Sequence, residues 1–319
     1  MRQPKLFTTI RTYSWSLFAQ DILAGATVAM VALPLSLAIA IASGADPAKG
    51  LITAIVAGFL ISFLGGSRVQ IGGPTGAFIV VVFGVIADHG YDGLVLATFM
   101  AGIILLVAGY FRAGNLIAFV PEAVVNGFTI GIGIIIATSQ LKDFFGLAVE
   151  KLPADFLGKI PALWAARETV GLAPIAIAIV TVILIVGLRR IAPRFPGLIV
   201  AVGIGSALVV FLSLPVDTLG SRFGELPSQL PWPALPDFSP SRIIELLPSA
   251  FVIAFLAAVE SLLSAMVADK IIDGHHRPNA ELSAQGVANM ASALFTGLPA
   301  TGAIARTATN IKAGGKTPI

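Results

Sequence analysis

Residues 65–76 read Gly65-Gly-Ser-Arg-Val-Gln-Ile-Gly-Gly-Pro-Thr-Gly76, and the fold turns on this stretch. Five glycines and a proline in twelve residues stop any helix, since each interior Gly costs about 1 kcal/mol and a Pro about 3 kcal/mol relative to Ala. Yet the stretch sits between apolar runs at 50–64 and 74–88, with no room for a long loop. Irregular backbone at membrane depth is tolerated only where it is buried in protein or lines a wet cavity. Residues 297–306, Gly297-Leu-Pro-Ala-Thr-Gly-Ala-Ile-Ala-Arg306, have the same character. Thr75-Gly76-Ala77 recurs there as Thr301-Gly302-Ala303, each close behind a proline (Pro74, Pro299) and each opening an apolar run. Each threonine also lies 53 residues past the start of an apolar run, one at 22 and one at 248.

The surroundings are those of a membrane protein. Of 319 residues, 12 % are charged and 56 % hydrophobic, where a soluble domain carries about 25 % charged. Disorder, which needs low hydrophobicity, is excluded as well. No Cys is present, which rules out disulfide scaffolds, thiolate metal sites and cysteine nucleophiles, and three His leave little for a histidine-based metal site. Runs long enough for membrane helices are predicted near 22–43, 50–64, 74–88, 92–110, 121–140, 171–188, 196–214, 248–267 and 284–297, with a tenth beginning near 302. Barrel strands would alternate apolar and polar, and these runs do not. Residues 1–21 form a polar lead without the apolar stretch and cleavage site of a signal peptide. With this lead inside the cell, inside segments hold ten basic and five acidic residues, outside segments seven and eleven. That is the asymmetry orientation requires. Residues 215–247, with Pro231-Trp232-Pro233, read as an ordered outside loop, and His275 and His276 as solvated residues of an inside loop.

If the first repeat spans 22–214 and holds seven helices, a second beginning at 248 starts on the opposite side of the bilayer. This is an inverted repeat, the plan of many secondary transporters. In that plan broken helices meet at the midplane with their N-termini, the positive dipole ends, turned toward an anion. The two Pro-Thr-Gly-type turns are the predicted helix starts, where small residues let a ligand approach free N–H groups. A second repeat of equal length would end near residue 440, about 120 residues beyond the last one given. Residues 248–319 are therefore expected to be an incomplete second repeat.

Two charges stand where the pattern says bilayer. Glu260 is in the middle of span eight and Arg306 is one turn into span ten. Intramembrane charges are costly and mark functional sites by default. They can form a structural ion pair, or Arg306 can attract an anion while Glu260 binds the proton or cation that offsets it. Gln70 faces a cavity or caps a turn. Ser36 lines the site or satisfies backbone freed by Pro34. Ser264 is one turn from Glu260 on the same face. Phe78 walls the site or packs. Asn126 and Gly127 suggest a close helix contact. Gly314-Gly-Lys-Thr317 lacks the upstream glycine of a phosphate loop, since position 310 is Asn310.

Four stretches resemble the SulP family of sulfate permeases, bicarbonate transporters and multifunctional anion exchangers. They are Gly127-Phe-Thr-Ile-Gly131 running to Ser139-Gln140-Leu-Lys-Asp-Phe-Phe-Gly146; Glu260-Ser-Leu-Leu-Ser264 with Ala268-Asp269; Asn279-Ala-Glu281-Leu with Gln285-Gly286-Val-Ala-Asn289; and Pro299-Ala-Thr-Gly302-Ala-Ile-Ala-Arg306-Thr307-Ala-Thr-Asn310. The resemblance implies an all-α polytopic membrane protein with a 7+7 inverted-repeat fold, divided into core and gate domains that move as an elevator. About ten of its spans are present here, with short strands before spans three and ten. It implies an anion site at those helix starts, made by Thr75, Gly76, Ala77, Phe78, Gly302, Ala303, Ala305 and Arg306, and a coupling-ion site at Glu260 and Ser264. Many members have Ser before the Arg, where this chain has Ala305. Sodium-coupled members have a Thr where Ile304 stands, so protons are the expected coupling ion and sodium the alternative. The expected activity is proton-coupled sulfate uptake across the cell (inner) membrane, with the N-terminus cytoplasmic. Sodium-coupled bicarbonate transport and an uncoupled channel or exchanger are the alternatives. The expected partners are an inorganic anion (sulfate, bicarbonate or chloride), the lipid bilayer and a second copy of the full-length protein; no cofactor, nucleic acid or enzymatic activity is expected.

Overall fold

A computed structural model describes residues 3–115, 122–149, 152–153, 156–191, 197–218, 220–221, 224 and 229–319. The lead carries α1 (Leu6–Thr9) and a 3₁₀ turn (Ile10–Thr12). Helix α2 (Trp15–Ala42) starts well before the apolar run at 22, because the Ser14 hydroxyl accepts from the Leu17 N–H and caps it. Helix α3 (Pro47–Leu64) starts with Pro47 in its first turn and the Asp46 carboxylate accepting from the Ala48 N–H at 2.7 Å. Helix α4 (Ile79–Tyr110) holds both spans predicted at 74–88 and 92–110, separated where Gly90 leaves helical geometry (φ 74°, ψ 176°). A 3₁₀ turn, Gly76–Phe78, leads into it.

Helices α5 (Glu122–Phe145), α6 (Phe156–Ala165), α7 (Leu172–Ile191) and α8 (Gly197–Phe211) follow. Ten residues make α6 too short to cross a bilayer. Helix α9 (Pro240–Ile272) corrects the extent of the 215–247 loop: Pro240 opens it, so eight residues read as loop are helix. These first turns were hidden from a hydropathy reading by Arg242 and Glu245, which face outward partners, Asp237 and His89. Helix α10 (Pro278–Leu294) likewise begins at a proline, ahead of the apolar run at 284. Helix α11 (Ile304–Lys312) is the start of span ten.

The chain divides into two compact units, residues 1–120 with 226–319, and residues 121–225. In the first, α4 lies along α10 and α9, α3 against α10 and α2, and α11 against α9 and α2. Its core is Phe78 and Val82 with Leu94, Leu105, Ile253 and Leu262. In the second, α7 packs on α8, and α5 on α6 and α7. Among the described residues, four helices, with the Gly76 turn counted into α4, are long and apolar enough to cross a membrane: Trp15–Ala42, Pro47–Leu64, Gly76–Tyr110 and Pro240–Ile272. Large apolar side chains such as Phe59 and Phe255 stand exposed on the outside, which suits lipid and not water.

Two two-residue strands meet at the centre of the first unit. β1 (Gly72–Gly73) pairs antiparallel with β2 (Thr301–Gly302), Gly72 opposite Gly302 and Gly73 opposite Thr301. The pairing corrects the repeat as read from identity of residues. Thr75 is the N-cap of the turn opening span three, and the N-cap of α11 is Ala303. The counterpart of Thr75 is therefore Ala303. Thr301 lies in a strand, where its hydroxyl donates to the Ala257 carbonyl at 2.9 Å.

The crossing of α2 and α3 depends on Gly50. A Cβ there would stand 2.0 Å from the Ser36 carbonyl oxygen. That is backbone and cannot rotate away. Gly50→Ala is expected to cost about 1–3 kcal/mol, read as a lower unfolding temperature of the purified full-length protein. An unchanged temperature would show that the crossing has slack.

Candidate functional site

The strand pair is held by side chains from the surrounding helices. The Asn289 amide clasps Ala300, donating to its carbonyl at 2.8 Å and accepting from its N–H at 2.9 Å. Thr53 accepts from the Leu298 N–H at 2.6 Å, and Thr307 from the Ile71 N–H at 3.1 Å. The Ala303 N–H donates to the Ile71 carbonyl at 2.9 Å. Gln70 lies over Gly302, where a Cβ would come within 1.5 Å of its amide nitrogen. That nitrogen donates to the Ser261 carbonyl and hydroxyl, at 3.2 and 3.0 Å. Gln70 is thus a pin between β2 and α9.

Arg306, in the first turn of α11, is 1 % exposed. Its Nη2 donates to the Ser36 hydroxyl at 3.2 Å, and Ser36 in turn donates to the Ala32 carbonyl at 2.7 Å. Ser36 therefore fills both roles weighed for it: it satisfies backbone in the proline-bearing turn and it holds the arginine. Arg306 Nε and Nη1 are buried and have no protein partner among the described residues. The guanidinium reaches across β1: a Cβ on Gly73 would lie 2.2 Å from Nη1, and Gly73 has φ 150°. Only glycine permits both the backbone and the approach.

At the other helix start, the Thr75 hydroxyl donates to Glu260 Oε2 at 2.7 Å. Glu260 and Arg306 form no salt bridge among the described residues, so the ion-pair alternative is not what the structure contains. Neither N-cap, Thr75 or Ala303, gives a side-chain bond to the first-turn amides behind it. The first intrahelical donors are the Phe78 and Thr307 N–H groups, to the Thr75 and Ala303 carbonyls, so the Gly76 and Ala77 amides and those of Ile304 to Arg306 come before the first intrahelical bond. Two helix starts with free amides, a buried guanidinium with two free donors and one carboxylate thus surround the strand pair.

The remaining predicted residues divide. Gly76 and Ala77 form the turn that opens span three, and Gly302 ends the strand before Ala303. Phe78 is 2 % exposed within the core cluster, so it packs. Ala305 is exposed on α11. Ser264 is buried and shares a 3.3 Å bond with Thr307, one turn from Glu260. A Cβ at Gly127 would meet nothing within 4 Å among the described residues; the Asn126 side chain lies outside them. His276 is not a solvated loop residue: its Nδ1 and backbone N–H both bond Asp269 Oδ2, at 2.6 and 2.8 Å. At the N-terminal lead, Arg277 donates to the Gln3 and Pro4 carbonyls. There, burial and then the charges of Arg277 and Arg68 push the Lys5 ammonium below its ordinary value.

Residues 18–319 match the sulfate permease family. The chain is 42 % identical over 308 residues to YvdB of Bacillus subtilis (strain 168), by its name a candidate sulfate transporter, covering 96 % of this chain and 58 % of that protein. It is 32 % identical over 309 residues to the bicarbonate transporter BicA of Picosynechococcus sp., covering 94 % of this chain and 54 % of that one. The chain thus spans little more than half the length of these curated relatives. Among solved structures, the transmembrane domain of a cyanobacterial BicA superposes with a TM-score of 0.85 at 33 % identity, covering 96 % of this chain and 79 % of that one. The murine Slc26a9 anion transporter in its inward-facing state gives 0.86 at 18 % identity, covering 99 % and 56 %, a likeness of fold.

Proposed function

This chain belongs to the sulfate permease family, and on that premise we propose that it carries the anion site of a proton-coupled sulfate importer. The observation that carries the reading is Arg306, a buried cation with Nε and Nη1 unpartnered. A buried charge without its hydrogen bonds is costly, and an anion between the helix starts supplies them.

The charges favour a dianion taken with a cation. Arg306 contributes one positive charge, and each helix start about half a charge. Their sum, about two, is offset by Glu260 when it is ionised. A dianion such as sulfate is balanced only when Glu260 is neutralised, and a proton does so. A monoanion needs no such partner. The resemblance to BicA supports bicarbonate as the second substrate, with sodium as the alternative coupling ion. Movement of the strand-bearing unit as an elevator, with the N-terminus cytoplasmic in the cell membrane, is part of the proposal, as is a dimer of the full-length protein.

The test is uptake of labelled sulfate, bicarbonate and chloride into proteoliposomes of the full-length protein, with pH and sodium gradients varied separately. Sulfate uptake is expected to follow the proton gradient. Glu260→Gln, which holds no charge and, like the protonated acid, can donate to Thr75, is expected to retain sulfate exchange and to lose acceleration by an inward proton gradient. Uptake that remains equally pH-driven in this variant removes Glu260 from coupling.

A further inference from the structure

We infer that the Thr75 hydroxyl is the interlock between cation and anion: it is committed to Glu260 while that carboxylate is uncompensated, and a cation taken up at Glu260 frees it to donate to the anion. The inference rests on the anion-site reading above and adds to it the residue through which the two ligands sense each other.

The starting observation is an N-cap threonine that does not cap. At a helix start the Thr oxygen ordinarily accepts from the second or third amide. Thr75 has the extended backbone of an N-cap (φ −129°, ψ 160°) but makes no such bond. Its hydroxyl points instead across 185 residues of sequence to Glu260 Oε2, at 2.7 Å. A threonine hydroxyl has one hydrogen, and an ionised carboxylate can only accept. While Glu260 is charged, that hydrogen is therefore taken. Once Oε2 carries a proton, the bond reverses: the carboxyl O–H donates to Thr75 Oγ1, and the Thr75 hydrogen turns free. It is then available at the start of the Gly76–Phe78 turn, whose N-cap position Thr75 occupies. No bond between heavy atoms forms or breaks; one proton arrives and one hydroxyl rotates.

The groups around Glu260 leave this exchange to Thr75. Among the described residues the charge acting on the Glu260 carboxylate is the Arg306 guanidinium of α11. The turn before α4 brings Thr75. The acid of α10, Glu281, is engaged elsewhere, by Gly66, Ser67, Ser261 and Gln285. Strand β2, Thr301–Gly302, contributes no titratable group.

A charge-assisted hydrogen bond gained or lost with the coupling cation corresponds to about tenfold to a hundredfold in affinity. By linkage, the anion raises proton affinity by the same factor. Equilibrium binding of labelled sulfate to the full-length protein in nanodiscs, measured across pH, tests this. Wild type is expected to bind at least about tenfold tighter in acid than in alkali. Thr75→Val should shrink that dependence by about tenfold to a hundredfold, leaving only the part due to the Glu260 charge itself, while Thr75→Ser keeps the whole of it. A Thr75→Val protein with the wild-type pH dependence overturns the inference; loss of proton drive in Glu260→Gln alongside it leaves the transport reading standing. Infrared spectroscopy of the wild type needs no Thr75 variant to fold. Sulfate added in acid should shift the protonated carboxyl band that Glu260→Gln removes to lower frequency, because a hydroxyl that donates to an anion is a stronger acceptor. An unmoved band also overturns the inference.

Discussion

Arg306→Ala is expected to abolish sulfate binding while leaving the protein folded. The guanidinium is 1 % exposed and offers Nε and Nη1 to whatever fills the space between the helix starts. Two charge-assisted bonds at about 1.5–3 kcal/mol each amount to a loss of about 10² to 10⁴ in affinity. The fold should tolerate the change. Ser36 keeps its bond to the Ala32 carbonyl. Arg306 forms no salt bridge among the described residues, and Glu260, on whose carboxylate its charge acts, keeps the hydrogen bond from Thr75. Removing a buried charge that is only part-satisfied relieves a desolvation penalty. Arg306→Lys should fall between: it keeps the charge but cannot hold Ser36 and an anion at once with a rigid fork. Isothermal titration of the full-length protein with sulfate, alongside its unfolding temperature, separates the two effects. Unchanged affinity in Arg306→Ala would remove the arginine from the anion site.

The parts of this site that sequence could expose are those whose cost shows in one dimension. A charge inside an apolar run is expensive wherever the chain then goes, so Glu260 and Arg306 stand out. Glycines and a proline between two apolar runs break a helix whatever packs around them, so the 65–76 and 297–306 crossings stand out too. What stayed hidden depends on partners distant in sequence. Ser36 reads as a helix serine bonded to its own backbone, which it is; that it also holds an arginine 270 residues away has no local signal. Thr75 and Thr301 look equivalent, yet one occupies the N-cap position of a helix start, without a capping bond, and the other sits in a strand. Identity over three residues says nothing about which backbone bonds each makes. The start of α9 at Pro240 was obscured because hydropathy sees the apolar middle of a helix and not its polar first turns. Glu281 lies ahead of the apolar run at 284, where nothing local shows that it is buried.

Glu281 is the residue on which the second large effect is expected, and there the effect is on folding. It is fully buried. Its Oε2 accepts from the Gly66 and Ser67 N–H groups at 2.8 and 3.2 Å, and its Oε1 from Ser261 and Gln285 at 3.1 and 2.9 Å. Four donors from three parts of the chain converge on it, including the turn that leads to β1. Glu281→Ala leaves them in a dry interior. Each unsatisfied donor costs about 1–3 kcal/mol, and with partial relaxation the total is expected at about 3–5 kcal/mol. That lowers the unfolding temperature by about 10 °C. Glu281→Gln should behave differently, and the difference tests the network and not merely the volume. Its oxygen can face the two backbone amides, which can only donate. Its NH₂ then faces Ser261, whose hydroxyl can accept, and Gln285, whose own amide oxygen is unpartnered among the described residues and can be presented by a flip. The two backbone donors are again satisfied, and only the Ser261 hydroxyl and the flipped Gln285 NH₂ lose the acceptor that Oε1 gave them, so Glu281→Gln is expected to cost about 1–3 kcal/mol, less than Glu281→Ala. Equal destabilisation by Ala and Gln would mean that the charge itself, and not the pattern of acceptors, holds the turn before β1.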